Sequence, residues 1–422
     1  MNKSYAINDN ITLHYIPMEK LKTTAVGVYI HRKITHEEVS LNALLPYVLK
    51  SGCSLCRSTT EIAHYLENLY GADLGAGILK KGEDQIIYFD AETISDKYAA
   101  NGEELLKGLL KLLISIIFEP LCDGNGFKKE FVELEKKNAI DRIEGVINDK
   151  RTYAQLRCIE EMCKGEPFGI YKLGKIEDIE KITPESLYTH YKKIITSSAI
   201  DIFVCGDADI KQISDELKKI NLHFEKAKIP ENSLHQSNGE IKRITDKMEI
   251  TQGKLCMGFK TNTPGTGKEC AALTVANSIF GSGAHSKLFN NVREKLSLCY
   301  YASSGLDIFK GLLLVNAGIE FKNFQKAYDE ILVQLEAVKN GDISDFEFES
   351  SISALENSYR SAYDDPRFMQ NIQIGEIILG TNYSVDDHIK MIKSVTREDV
   401  IAAMKKVELD TVYFLTGKED NR

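Results

Sequence analysis

Asp149-Lys-Arg-Thr-Tyr-Ala-Gln155 returns further along the same chain as Asp365-Pro-Arg-Phe-Met-Gln-Asn371. Two more pairs follow in the same order. Ile182-Thr-Pro-Glu-Ser-Leu187 answers to Val395-Thr-Arg-Glu-Asp-Val400, and Ile202-Phe-Val-Cys-Gly206 to Val412-Tyr-Phe-Leu-Thr-Gly417. The offsets, 216, 213 and 211 residues, agree within small insertions. Three ordered matches at half the chain length imply two copies of one α+β unit. A length of 422 residues suits two domains of about 200 residues each. Between the copies, His223 to Gly239 carries Pro230, Asn232, Ser233, Ser237 and Asn238 with little apolar periodicity, the composition of a linker. The expected division is a domain over 1–222, a connection over 223–243 and a domain over 244–422.

Short β-branched or aromatic runs predict strands at Ala25–Ile30, Gln85–Ala91, Ala199–Cys205, Lys254–Phe259, Gly311–Ile319 and Thr411–Leu415. Helical spacing of apolar residues predicts long helices at Glu103–Phe118, Phe127–Ile147, Phe324–Val338 and Asp345–Tyr363. A hydrophobic content of 43% with 27% charged residues is that of a globular protein. The formal charge of −9 offers no basic face for a nucleic acid, so none is expected as a partner. The polar start, Met1 to Thr12, does not read as a signal peptide. The most apolar run, Leu105–Phe118, is interrupted by Lys107 and Lys111 and is too short to span a bilayer. Nine cysteines without a pairing framework suit a reducing compartment. The expectation is a soluble cytoplasmic protein.

Several apparent motifs carry no chemistry. Cys53-Ser-Leu-Cys56 has no second pair at zinc-ribbon spacing, and a pair of small buried thiols is the simpler reading. Pro264-Gly-Thr-Gly-Lys268 lacks the first glycine of a phosphate loop, and Glu269 stands where a hydroxyl is needed. The nine histidines include no pair at i, i+3 or i, i+4, and His64 and His285 read as structural.

Two further stretches matter more. Leu41-Asn-Ala-Leu-Leu-Pro-Tyr-Val-Leu-Lys-Ser-Gly52 puts Leu41, Leu44, Leu45, Val48 and Leu49 on one helical face and stops at a glycine. Phe280-Gly-Ser-Gly-Ala-His-Ser-Lys-Leu-Phe-Asn-Asn-Val-Arg-Glu-Lys-Leu-Ser-Leu-Cys-Tyr300 reads as a glycine-bearing turn leading into a helix. Leu288, Phe289, Val292 and Leu296 are expected to face inward on it, with Tyr300 just beyond its end.

With the duplicated layout, these stretches resemble the pitrilysin/insulinase family of zinc peptidases, in its two-domain bacterial branch. The second stretch is similar to that family's Gly-x-Gly…Ser-x-Leu-Phe…Val-Arg-Glu-Lys…Leu-x-Tyr segment. The resemblance implies an α+β fold of two homologous α/β-sandwich domains in tandem. It also implies that the first stretch lies where the family carries its inverted zinc motif, H-x-x-E-H. Here those positions read Asn42-Ala-Leu-Leu45-Pro46, so both histidine ligands and the glutamate base are missing, and Arg142 stands at the place of the third ligand. Zinc needs three or four converging N, S or O donors at about 2 Å. Leu45 and Pro46 supply none. A guanidinium about 4 Å from a dication would cost roughly 8 kcal/mol at an effective dielectric of 20. No metal is expected at these positions, and zinc is expected in a partner instead.

Some members of the family split the work between two chains, one with the zinc motif and one with an Arg/Tyr pair that contacts the substrate backbone. Arg293 and Tyr300 match that pair in type and spacing. The expected function is a non-catalytic subunit that supplies Arg293 and Tyr300 to a homologous zinc-bearing partner acting on peptide, with no activity alone. A homodimer could form in isolation. The alternative is an inactive homologue that binds or scaffolds peptides. A lone active peptidase would require stoichiometric zinc. The sequence is also similar to inactive homologues encoded beside an active peptidase and associated with modification of elongation factor P.

Overall fold

The repeat in the sequence becomes a repeat of sheets. The computed structural model describes residues 3–220, 222–237 and 239–418. The first half supplies β1 (Lys3–Ala6), β2 (Ile11–Pro17), β3 (Thr23–Lys33), β4 (Asp73–Lys81) and β5 (Asp84–Ile94). A small hairpin of β6 (Cys122–Asp123) and β7 (Gly126–Phe127) and then β8 (Ile200–Gly206) complete its strands. The second half supplies β9 (Lys242–Met248), β10 (Gly253–Lys260), β11 (Cys299–Asp307), β12 (Leu312–Ile319) and β13 (Glu408–Gly417).

Helices in the first half are α1 (Val39–Lys50), α2 (Thr59–Asn68), α3 (Leu105–Phe118), α4 (Lys129–Gly145), α5 (Lys150–Met162), α6 (Ile176–Lys181), α7 (Pro184–Ser197) and α8 (Ile210–Leu217). Those in the second are α9 (Gly267–Gly281), α10 (Phe324–Lys339), α11 (Asp345–Ser361), α12 (Pro366–Leu379), α13 (Val385–Lys393) and α14 (Arg397–Lys405). The strands and long helices expected from the sequence are all present within a few residues. Among the described residues no helix is long and apolar enough to cross a membrane.

One sheet has the order β1-β2-β8-β3-β5-β4 and the other β11-β12-β10-β13-β9. Read from β4, the first sheet runs β4-β5-β3-β8-β2, matching the five strands of the second one for one, with β1 added beyond β2. In each, the closing strand lies antiparallel to one neighbour and parallel to the other: β8 between β3 and β2, β13 between β10 and β9. The second repeated motif is a helix start. Thr183 caps α7 and Thr396 caps α14, each with a reciprocal bond from the residue three places on, Ser186 or Asp399.

The first repeated motif has a different role. Asp149 accepts from the N–H groups of Arg151 and Thr152, and Asp365 from those of Arg367 and Phe368. Each therefore caps the helix that follows it, α5 or α12. The chain packs as two compact units: 1–144 with 170–231 and 362–378, and 145–169 with 232–361 and 379–422. Unit one thus includes α12, from the second half of the chain, and unit two includes α5, from the first. The expected division follows the repeat along the chain, and an exchange of helices is superimposed on it.

The exchange explains why the central strands are apolar on both faces. In unit two, Leu255, Met257, Phe259, Leu313, Val315, Val412 and Phe414 share one core with α9, α10 and α14. The alternate residues Cys256, Leu314, Tyr413 and Leu415 pack against Ala154 and Cys158 of α5. In unit one, Val26, Val28, Ile30, Ile202 and Val204 join α1, α3 and α7. On the opposite face Tyr29 Oη donates to Gln370 Oε1 of α12 (3.0 Å), and Gln370 Nε2 lies 3.6 Å from Cys205 Sγ. The arginine of each repeated motif then reaches the edge strand of its sheet. Arg367 pairs with Asp73 (2.5 Å) and Asp90 (2.9 Å), while Arg151 lies over the Tyr301 ring and donates to Ser303 Oγ (3.0 Å).

The same face of unit one carries a polar line absent from the sequence reading. His31 on β3 bonds Asp84 on β5 and Asp201 on β8 (3.0 Å), and Asp201 bonds His14 on β2 (2.6 Å). Burial alone would lower the His31 pKa, but the two carboxylates outweigh it and raise it to about 9.

A glycine marks where each exchanged helix crosses its sheet. A Cβ on Gly258 of β10 would stand 2.6 Å from Met162 Sδ of α5, and one on Gly27 of β3 would meet Gln370 Oε1 of α12. Gly258→Val is expected to lose about 1–3 kcal/mol of stability through overpacking, read as a lower urea midpoint. A midpoint within error of the parent would show that α5 does not fix the spacing.

Candidate functional site

The helix at the family's zinc-motif position, α1, is almost entirely buried. Leu45 belongs to the apolar core of unit one, alongside Leu44, Val48 and Leu49. Pro46 lies inside the helix, four residues after Asn42, and so removes the hydrogen bond that Asn42 C=O would accept. Asn42 is fully buried, but its amide is committed elsewhere. Nδ2 donates to Gln85 Oε1 (2.8 Å) and Oδ1 accepts from His190 Nε2 (2.8 Å). Gln85 Nε2 in turn donates to the carbonyls of Val39 (3.1 Å) and Lys172 (2.8 Å). Arg142, on α4, lies 3.9 Å above the ring of Tyr47, the residue after Pro46. Its Nη2 is 3.8 Å from Glu135. A cation therefore lies against the Tyr47 ring of α1, and the three motif positions offer an amide bonded to side chains, an alkyl group and an imino acid. These residues do not fit a zinc ion.

The Arg/Tyr segment lies in unit two and departs from an ordinary helix. Leu288–Lys295 is a π-helical turn, closed by Leu296 N–H bonding Asn291 C=O five residues back (3.1 Å). Ser297 follows at φ +49°. The wider turn changes which side chains face inward. Leu288 and Val292 are buried as expected. Leu296, expected inward, is 45% exposed, because the extra residue per turn rotates it off the core face. Phe289 is half-buried, with Arg293 stacked on its ring at 4.7 Å. Arg293 Nε also lies 3.5 Å from Glu294.

Tyr300 is not a core residue but is 61% exposed. It stands at the start of β11, where a register shift separates Cys299 from Tyr301. Arg293 and Tyr300 line one cavity of about 330 Å³, together with Glu294, Cys299, Glu320 and Asn323. Burial pushes the Cys299 thiol up to about 11 against the pull of Arg293, so it is no thiolate nucleophile at neutral pH. The cavity therefore presents a cation, a phenol and carboxylates, groups that bind and orient rather than attack.

The other motifs settle as structural contacts. Lys268 pairs with Asp399 (2.8 Å), and Gly267 begins α9. Cys53 and Cys56 are free, buried thiols. His64 bonds Glu67 (3.0 Å) at the surface and His285 bonds Ser278 (3.1 Å).

The Asn42 network makes a pH test available. Burial lowers the His190 pKa from 6.5 to about 4; Glu38 opposes the shift and Arg32 and Lys193 add to it. As pH falls from 6.5 towards 4, the unfolded chain takes up a proton that the folded chain refuses, so stability is lost in that window. The full loss is roughly 3 kcal/mol. Urea unfolding at pH 7 and pH 4.5 should show His190→Gln losing less stability than the parent. Equal losses would mean that His190 is not held neutral.

The sequence matches the Peptidase M16 inactive domain over residues 181–355. It is 36% identical over 420 residues to the probable inactive metalloprotease YmfF of Bacillus subtilis, covering 99% of both chains. It is 25% identical over 413 residues to the uncharacterized zinc protease YmxG of the same organism, covering 95% of this chain and 94% of that one. The crystal structure of a conserved protein from Enterococcus faecalis V583 superposes with a TM-score of 0.92 at 29% identity, covering 100% of both. The chain belongs to the M16 peptidase family, the pitrilysin/insulinase family, as an inactive homologue.

Proposed function

We propose that this chain is the non-catalytic subunit of a two-chain zinc peptidase, presenting Arg293 and Tyr300 to a peptide cut by a homologous zinc-bearing partner. The observation that carries the reading is the shared cavity of unit two. Arg293 and Tyr300 line it together, and Tyr300 is exposed where a core residue would be buried. A guanidinium and a phenol at one opening can both donate to a peptide carbonyl and to the oxyanion it becomes. The motif helix of unit one supports the division of labour, since Asn42, Leu45, Pro46 and Arg142 cannot hold the ion that would activate water. Similarity to a zinc protease along nearly the whole chain makes a partner of the same size and fold reasonable. In this reading zinc belongs to the partner.

A second reading keeps the cavity but gives up the chemistry: the chain binds or scaffolds peptides without turnover. Copurification from native cytosol followed by an activity assay separates the two. Peptidase activity that appears only on mixing with a homologue carrying H-x-x-E-H supports the split site, whereas binding without turnover supports the scaffold. Within an active pair, Arg293→Ala should lower kcat about 100-fold while the partner retains its zinc. Unchanged turnover would remove Arg293 from the site.

A further inference from the structure

A second convergence of donors lies in unit two, among residues that no part of the peptidase reading uses. Cys163 follows the last turn of α5, and Glu166 N–H bonds Cys163 C=O (2.9 Å) in the next turn. His235 arrives from the connection between the halves, where its own N–H bonds Lys310 C=O (2.9 Å). The ligand atoms of Cys163, Glu166 and His235 lie within 4.8 Å of one another, with Cys163 and His235 buried and Glu166 half-buried.

The two imidazole nitrogens have different surroundings. Nδ1 faces Glu166 Oε1 (2.5 Å) and Cys163 Sγ (3.8 Å). Nε2 faces Asp410 Oδ2 (3.3 Å), a buried carboxylate whose other oxygen accepts from Thr411 Oγ1 (2.6 Å). Nδ1 shares a proton with Glu166 in the ion-free arrangement. Once a metal displaces that proton, Asp410 accepts from Nε2–H and the Nδ1 lone pair faces the same space as Cys163 Sγ, the arrangement that orients a metal-bound histidine. Lys310, fully buried, pairs with Glu166 Oε2 (2.6 Å) and leaves Oε1 turned to the imidazole.

From this geometry we infer a metal site for zinc, bound by Cys163 Sγ, Glu166 Oε1 and His235 Nδ1 and supported by Asp410 and Lys310. Thiolate, imidazole and carboxylate suit zinc in type and number for a tetrahedral ion with one solvent position. The charges balance: the thiolate and Glu166 neutralise the dication, while Asp410 and Lys310 cancel. The half-exposed Glu166 gives the ion a way in. Zinc here would fasten the connection to the end of α5. It would do nothing for α1, which lies in the other compact unit, so finding zinc would not restore a lone peptidase.

The competing arrangement is a protonated His235 bridging Glu166 and Asp410 with no ion, in which Cys163 plays no part. Cobalt separates the two. Untagged full-length chain, stripped with chelator, should bind one equivalent of Co²⁺ with a thiolate-to-cobalt charge-transfer band and tetrahedral visible bands that Zn²⁺ erases. Cys163→Ser should abolish the charge-transfer band. Asp410→Asn should keep it but weaken binding by about 10–100-fold. The paired change Cys53→Ser with Cys56→Ser, which removes the other candidate thiols, should leave it intact. Zinc should raise the Tm of the parent but not of Cys163→Ser. Absence of a band in the parent, or its survival in Cys163→Ser, overturns the site and leaves the ion-bridged histidine.

Discussion

Everything in this architecture follows from the need to close both faces of each sheet. A strand such as β12, buried at every residue, leaves alternate side chains on opposite faces, and neither set can be left in water. Most helices of each half lie on one face. The other is closed by a single helix borrowed from the other half, α12 for one sheet and α5 for the other. The repeated Asp-x-Arg motif belongs to that arrangement, its aspartate starting the helix and its arginine reaching the sheet edge. Gly27 and Gly258 belong to it as well, since larger residues at the crossings would push the helices away.

The replacement of the zinc-motif residues is best understood against the same packing. A helix carrying H-x-x-E-H keeps polar groups turned towards an ion. Here Leu45 has joined the core, Asn42 has found side-chain partners, and Arg142 covers Tyr47. Leu45 brings no polar group to be satisfied and the Asn42 amide is bonded on both sides, whereas Arg142 keeps one buried nitrogen, Nη2, without a hydrogen bond and rests on the Tyr47 ring instead. The helix persists because its apolar face is integral to unit one, whatever became of its chemistry.

Much of this was legible in the sequence. The three repeated motifs revealed two copies of one α+β unit, and the third of them fell on the closing strands β8 and β13; that the first two are helix caps emerged only from the fold. The destination of α5 and α12 was not legible. An amphipathic pattern shows that a helix has a face to bury but not which sheet will bury it. The orientation of Leu296 was misjudged for a related reason: helical spacing assumes 3.6 residues per turn, and Leu288–Lys295 winds more widely. The His31–Asp84–Asp201 line was invisible because its members lie 53 and 170 residues apart, and the Cys163–Glu166–His235 cluster because His235 stands 72 and 69 residues from the other two. Nothing short of the fold brings them together.

The borrowed helices also mean that the two halves are tied by more than the peptide that joins them. A protease cut between Lys228 and Glu231 would sever the connection, yet the N-terminal fragment would still hold α5 in unit two and the C-terminal fragment α12 in unit one. The fragments would migrate as one particle until denatured. Either half expressed alone would show an uncovered apolar sheet face to solvent. Such a protein survives nicking but cannot be assembled from one half at a time.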